Sequence, residues 1–301
     1  MADDLGYGDT GFNGNEVIRT PCLDAMCSEG AKFTRFYAGG PVCSPTRGTC
    51  LTGRHYSRYG ITHANEGRLP TQEISLAKVC KERGYKTGHF GKWHLGTMTR
   101  REKDSNRGGP EHPAEYSPPW MHGFDVCFST EAKVPTWDPM LTPDELGMKR
   151  RYRWGVPGEP FGTSYWNGEG EKVTDNLGGD DARVIVDRVE PFMCSCARSG
   201  IPFLAVVWFH TPHSPVVAGP DYRAMYSAYS EEEQHYYGCI TAMDEQIGRL
   251  REELRKLGIA EDTIVVFTSD HGDMLGAHGY ERKQKPWDES IMVPWVMQWP
   301  G

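Results

Sequence analysis

The stretch Cys43-Ser44-Pro45-Thr46-Arg47-Gly48-Thr49-Cys50-Leu51-Thr52-Gly53-Arg54 concentrates the chemistry of this chain. A thiol stands just before a proline that can open a helix, since proline's φ is preset and its missing N–H is not needed at the first helical position. Cys43 then sits at a helix N-terminus, where unpaired N–H groups and the macrodipole attract anions. Arg47, one turn on, adds a planar, permanently charged fork suited to a tetrahedral oxyanion. The combination describes a reactive group built to meet a sulfate or phosphate ester. Taken singly, Cys43 also reads as a small buried apolar residue and Arg47 as a surface charge.

Other polar clusters stand where apolar runs end, and in open α/β sheets ligands bind at the carboxyl ends of strands. Tyr85–Phe90 runs into Gly91-Lys92-Trp93-His94-Leu95-Gly96. Pro202–Phe209 runs into His210-Thr211-Pro212-His213, and Thr263–Thr268 into Ser269-Asp270-His271-Gly272. Asp3-Asp4 would make a fourth such end if a strand preceded it. One charged strand end is ordinary, whereas four point to a shared site. Asp3, Asp4 and Asp270 are hard oxygen donors suited to Ca²⁺ or Mg²⁺. Lys92 and His94, two apart on an extended segment, point the same way. Each also has a plainer reading: solvated or capping aspartates, a solvated lysine, loop histidines steadied by Pro212 and Pro215.

These residues need a scaffold, and the hydrophobic pattern supplies one. Thr20-Pro21 opens a short helix that Gly30 ends, followed by a strand near Ala31–Tyr37. Ser75 caps a helix over Leu76–Arg83, with Leu76, Val79 and Cys80 on one face. Gly84 stops it, and Tyr85–Phe90 reads as a strand. Pro202–Phe209 and Thr263–Thr268 read as strands buried on both faces. Between them Ile240, Met243, Ile247, Leu250, Leu254 and Leu257 mark the clearest helix, which Gly258 ends. Alternating strands and helices predict an α/β fold with a mostly parallel sheet covered on both sides. About 100–180 reads as a loop-rich insertion outside that sheet. Its aromatics Tyr116, Trp120, Trp137, Tyr152, Trp154, Tyr165 and Trp166 could stack on sugar rings or anchor small cores.

Composition sets the outer limits. The 301 residues are 38% hydrophobic and 25% charged, a globular balance. A net charge of −8 excludes a nucleic-acid surface, so an anionic substrate must be drawn by a local group of cations. The nine cysteines show no paired zinc spacing. The longest apolar run, Ile201–Phe209, is too short to span a membrane.

The whole pattern Cys-x-Pro-x-Arg followed by Thr-Gly-Arg resembles the signature of the type I, formylglycine-dependent sulfatases, arylsulfatase-like members of the alkaline phosphatase superfamily. The resemblance runs from Asp3 to Gly301. It implies an alkaline phosphatase-like sandwich, one catalytic domain over 1–301, and hydrolysis of sulfate esters on a sulfated carbohydrate or aryl sulfate. It implies that Cys43 is converted to formylglycine by a formylglycine-generating or anaerobic sulfatase-maturating enzyme. Asp3 and Asp4, in Ala-Asp-Asp-Leu-Gly-Tyr-Gly-Asp, match metal ligands, as do Asp270 and His271, with the Cys43 position completing a Ca²⁺ or Mg²⁺ site. Arg47, Lys92 and His94 match residues that hold the formylglycine hydrate. His213 matches the group that protonates the leaving oxygen, with His210 beside it as a substrate contact. Lys283 matches a sulfate-binding lysine, with Lys285 as the alternative.

A thiol attacking sulfur would leave a stable thio-adduct. Of a geminal diol, one hydroxyl can attack and the other can later expel sulfate. Under the resemblance His94 is the base for that expulsion. A phosphoester or phosphonate hydrolase of the same superfamily, and an inactive fragment, are the rival readings. Measured against the family, the first strand before Asp3 and a C-terminal subdomain are expected to be missing. The family implies a periplasmic or secreted setting, and no signal peptide stands in the chain.

Overall fold

The computed structural model describes residues 1–144, 155–280 and 282–299. Among them the strands are β1 (Ala31–Lys32), β2 (Lys86–Lys92), β3 (Lys103–Asp104), β4 (Arg107–Gly108), β5 (Val126–Thr130), β6 (Trp166–Asn167), β7 (Phe203–Trp208), β8 (Val265–Thr268) and β9 (Trp295–Gln298). The α-helices are α1 (Pro21–Ser28), α2 (Cys43–Thr52), α3 (Tyr56–Tyr59), α4 (Leu76–Glu82), α5 (Asp181–Arg198), α6 (Pro220–Ala224), α7 (Glu231–Lys256) and α8 (Asp288–Ile291).

The central sheet has the order β6-β5-β2-β7. β2 pairs in parallel with both β5 and β7, and only β6 runs antiparallel. A smaller antiparallel sheet, β1-β9-β8, stands beside it. Residues Met1–Asp3 lie between the two. Phe209 N–H donates to Met1 O (3.0 Å), Ala2 N–H to Thr268 O (2.8 Å), Asp270 N–H to Ala2 O (3.2 Å) and Asp3 N–H to Thr211 O (2.9 Å). This short segment splices the sheets and sets Asp3 and Asp4 level with the ends of β7 and β8.

Both faces of the central sheet are covered. On one, Phe90 packs with Val184, Ile185, Val189 and Phe192 of α5 and with Ile240, Met243 and Ile247 of α7. On the other, Trp93, Trp208, Leu51, Tyr59 and Ala77 form a second core with α2, α3 and α4. The period of α7 is the one the sequence shows: Ile240, Met243, Ile247 and Leu254 are buried, and Gly258 at φ +70° closes it.

Several expectations change. The strand near Ala31–Tyr37 shrinks to β1 and a single bridge between Tyr37 and Met292. Helix α4 turns Leu76 and Val79 outward and buries Ala77, because the small side chain lets the helix lie close on β2 and β7. β8 buries Phe267 but leaves Val266 exposed, since the smaller sheet has only one covered face. β5 and β6 belong to the central sheet, so 100–180 is not wholly outside it. Helix α5 drew no notice in the sequence. Pro191 and the polar Cys194-Ser195-Cys196 break up a stripe that nonetheless buries Val184, Val189, Phe192, Met193 and Cys196.

One glycine is required by both space and backbone. Gly91 pairs with Trp208 at φ +101°, and a Cβ there would lie 2.0 Å from Trp208 O. Gly91→Ala is expected to destabilise the protein by about 3 kcal/mol or more through strain at a special φ and a clash with fixed backbone. Denaturant unfolding measures it, and a midpoint unchanged from wild type would contradict the assignment.

Candidate active site

Helix α2 begins at Cys43, with Val42 as its extended N-cap. Pro45 therefore takes the third helical position, still inside the first turn where its missing N–H costs nothing. Cys43 Sγ, buried, lies 3.1 Å from Lys283 Nζ, 3.2 Å from His271 Nε2, and 3.6 Å from both Lys92 Nζ and Asp3 Oδ1. Residues from four other segments thus meet at one sulfur.

Arg47, one turn along α2, is fully buried. Its Nη2 reaches Asp270 Oδ2 at 2.8 Å and Asp3 Oδ1 at 3.2 Å, its Nη1 donates to Lys92 O at 3.0 Å, and the guanidinium lies 5.1 Å from the centre of the Trp208 ring. Lys92, at the carboxyl end of β2, meets Asp3 Oδ2 at 2.5 Å. Lys283 meets Asp4 Oδ1 at 2.6 Å, and His271 Nε2 stands 3.1 Å from the same oxygen. His213 donates its Nδ1–H to Ser214 O (2.7 Å), leaving Nε2 at 3.8 Å from Asp4 Oδ2.

The charges here are set by one another. Burial works against ionisation of Asp3 and Asp4, but Lys92 and Arg47 at Asp3, and Lys283 at Asp4, outweigh it and hold both carboxyls well below the usual range. Burial also opposes a charge on His271, yet Asp270 and Asp4 lift its pKa to about 9 against the pull of Lys283. Burial keeps His213 well below its ordinary value, with Asp4 pulling the other way. Burial likewise depresses His94, reinforced by Lys92, Arg107 and Arg47.

Two sequence candidates take other places. Both nitrogens of the buried His210 are engaged, Nδ1 with Asp181 Oδ2 at 2.8 Å and Nε2 with Thr130 Oγ1 at 2.7 Å, so the ring has no atom left for a substrate. Lys285 lies over the Tyr280 ring at 4.9 Å, while Lys283 enters the cluster. Sequence reasoning passed over Lys133, just beyond the end of β5. Burial lowers its pKa, and the positive charges of Lys92 and Lys283 add to that. The signal is in the sequence: β5 ends in Thr130-Glu131-Ala132-Lys133 much as β2 ends in Lys92, but inside the stretch that reads as an insertion.

The family model named Sulfatase matches residues 1–301 of this chain. The chain belongs to the sulfatase family. It is 34% identical over 310 residues to the ulvan-active sulfatase of Formosa agariphila, an alignment covering 97% of this chain and 53% of that relative. The chain thus spans about half the length of that curated relative. Among solved structures, yidJ from Bacteroides fragilis superposes with a TM-score of 0.81 at 27% identity, over 100% of this chain and 67% of that one. Ps i-CgsB in complex with k-i-k-neocarrahexaose gives 0.79 at 26% identity, over 100% and 64%.

The cluster offers a donor set that can hold a metal ion. One ligand atom each from Asp3, Asp4, Cys43 and His271 falls within 4.8 Å of the others, all of them buried. Asp270 Oδ1 is 3.6 Å from His271 Nε2. Asp4 Oδ2 is buried without a hydrogen-bond partner among the described residues, an orphaned acceptor of the kind an ion satisfies. Among the described residues no helix is long and apolar enough to cross a membrane.

Proposed function

We propose that this chain hydrolyses sulfate esters and releases inorganic sulfate, with formylglycine made from Cys43 and Ca²⁺, or Mg²⁺ in its place, held by Asp3, Asp4, Asp270, His271 and the residue at position 43. The observation that carries this is the convergence on Cys43 Sγ of Lys283, Lys92, His271 and Asp3, each within 3.6 Å. That sulfur marks where the oxygens of a formylglycine hydrate would stand, and ammonium groups and carboxylates are the partners that hydroxyls take.

Formylglycine would supply a hydroxyl nucleophile that can later be released, and the cation a Lewis acid that polarises the ester. The chain's own residues do the rest. Arg47, Lys92 and Lys283 place three positive charges where the sulfuryl oxygens gather charge in the transition state. His213 has committed Nδ1–H to Ser214 O, so in its imidazolium form, which Asp4 at 3.8 Å favours, Nε2–H is the proton available to the leaving oxygen. His94 takes up the proton when sulfate is expelled. His210 is held between Asp181 Oδ2 and Thr130 Oγ1.

The substrate is proposed to be a sulfated saccharide. The carrahexaose bound by the neighbouring structure and the ulvan-active relative support this. Of the aromatics of 100–180, Tyr165 and Trp166 are buried anchors, Tyr165 stacking on Phe128 at 4.0 Å, Tyr116, Trp120 and Trp137 are half-buried, and Tyr152 and Trp154 lie outside the described residues.

The test begins with co-expression with a formylglycine-generating or anaerobic sulfatase-maturating enzyme, checked by mass spectrometry of the Cys43 peptide. Sulfate release from 4-nitrophenyl sulfate and sulfated oligosaccharides is expected to exceed phosphate release from 4-nitrophenyl phosphate. A converted protein that released only phosphate would transfer the assignment to a phosphoester hydrolase. Chelation is expected to abolish release and Ca²⁺ to restore it. At a hundredfold excess over its dissociation constant, Ca²⁺ should add about 2.7 kcal/mol of stability. Asp4→Asn should erase that gain, and a thermal shift that survived in this variant would exclude Asp4 as a ligand.

A further inference from the structure

His94 stands two residues past the end of β2 at φ +57°, and its surroundings hold more order than a proton acceptor alone requires. Its carbonyl accepts from Ser44 Oγ at 2.6 Å, fixing it beside the first turn of α2. Its N–H donates to Glu131 O at 2.9 Å. Its Nε2 lies 2.7 Å from Asn65 Oδ1, and the same oxygen receives Asn106 Nδ2 at 2.9 Å. Asn106 is itself clamped: its N–H donates to Glu131 Oε2 at 3.0 Å, and the adjoining Arg107 pairs with Glu131 Oε1 at 3.0 Å. His94 Nδ1 is buried without a hydrogen-bond partner among the described residues.

An amide oxygen that already accepts from one N–H can accept another but cannot donate. Asn65 Oδ1 therefore requires hydrogen on His94 Nε2, which puts the ring's lone pair at Nδ1. The electrostatics agree with a neutral ring, because burial and the positive charges of Lys92, Arg107 and Arg47 disfavour a second proton on it. Turning both amides over would instead bury an unpartnered N–H at Nδ1.

We propose that Asn65, held by Asn106, is a positioning residue that fixes His94 in its Nε2–H tautomer and so keeps Nδ1 as the nitrogen that accepts the proton when sulfate is expelled. In that step an O–H bond on the residue at position 43 breaks, its electron pair forms a carbonyl bond, the bond to the sulfate oxygen breaks with its pair leaving on sulfate, and Nδ1 binds the proton. The proposal rests on the reading of His94 as the base, and its test separates the two.

The first measurement needs no activity. Protein with unconverted Cys43, labelled with ¹⁵N-histidine, is examined by long-range ¹H–¹⁵N correlation, the His94 signals being assigned from His94→Gln. Wild type is expected to show a protonated Nε2 and an unprotonated Nδ1. Asn65→Leu should replace this with the other tautomer or an averaged signal, and Asn65→Asp, which still accepts, should retain it. Should Asn65→Leu fail to fold, Asn106→Ala, which frees Oδ1, is expected to show the averaged signal. A protonated Nδ1 in wild type, or an unchanged pattern in the folded variant used, overturns the proposal.

In matured enzyme, Asn65→Leu is expected to lower kcat roughly 10–100-fold with KM little changed, the usual range for removing the partner of a functional histidine. Asn65→Asp should recover most of it, and Asn65→Leu should add little to His94→Gln. An equal loss in the His94→Gln background would show that Asn65 acts elsewhere and overturn the proposal. Wild-type turnover in His94→Gln alone would remove the base reading, while the spectra still decide the tautomer.

Discussion

Cys43→Ala is expected to eliminate sulfate release from matured protein while leaving the fold in place. The side chain is small and contributes one sulfur to a polar cluster, so its loss removes little packing, and alanine is the best helix former for the first turn of α2. The effect on turnover is of another order. Lys92, Lys283, His271 and Asp3 would still surround position 43 with nothing there to attack the ester. Removing a nucleophile from an otherwise intact site lowers kcat on the order of 10⁴-fold or more. The measurement is sulfate release together with thermal unfolding. Hydrolysis at the wild-type rate by Cys43→Ala would end the proposal that this residue carries the reaction.

The largest expected effect on stability comes from Arg47→Met. Arg47 and its partners Asp3 and Asp270 are all fully buried. Methionine keeps much of the volume over Trp208 but leaves Asp270 Oδ2 without its ion pair and Lys92 O without a donor. Breaking a buried pair by removing one partner costs about 3–5 kcal/mol, because the remaining charge is stranded out of water. Adding Asp270→Asn should return part of that loss, and saturating Ca²⁺ should offset part of it by supplying counter-charge to the same carboxylates. Denaturant midpoints for the three proteins decide the matter. A loss below about 1 kcal/mol for Arg47→Met would mean that the carboxylates do not depend on it.

Much of this arrangement was legible because chemistry and periodicity coincide at strand ends. Lys92, His213 and Asp270 each follow an apolar run by a few residues, and the structure brings them to one place with Cys43 and Arg47. The period of α7 gave its buried face directly. What stayed hidden depended on pairing and on company. β5 has only five residues inside a proline-rich stretch, and its place between β2 and β6 comes from hydrogen bonds to distant segments. Lys133 and Glu131 were concealed with it. His210 and His213 look alike in sequence. They separate only because Asp181, on a helix the sequence did not announce, captures the first and Ser214 O orients the second. Asn65 carries no motif, and its meaning arises from Asn106 and Glu131, which lie far along the chain.

The seam formed by Ala2 and Asp3 has a mechanical consequence. The two sheets meet along the line where Ala2 bonds to Thr268 and Asp270, and where Asp3 bonds to Thr211. That line passes through the carboxylate cluster, so any opening there would draw Asp270 away from Asp4 and Arg47. The site is the rivet of the two halves. A cation seated there would clamp them, and the cooperativity of unfolding should rise and fall with its occupancy.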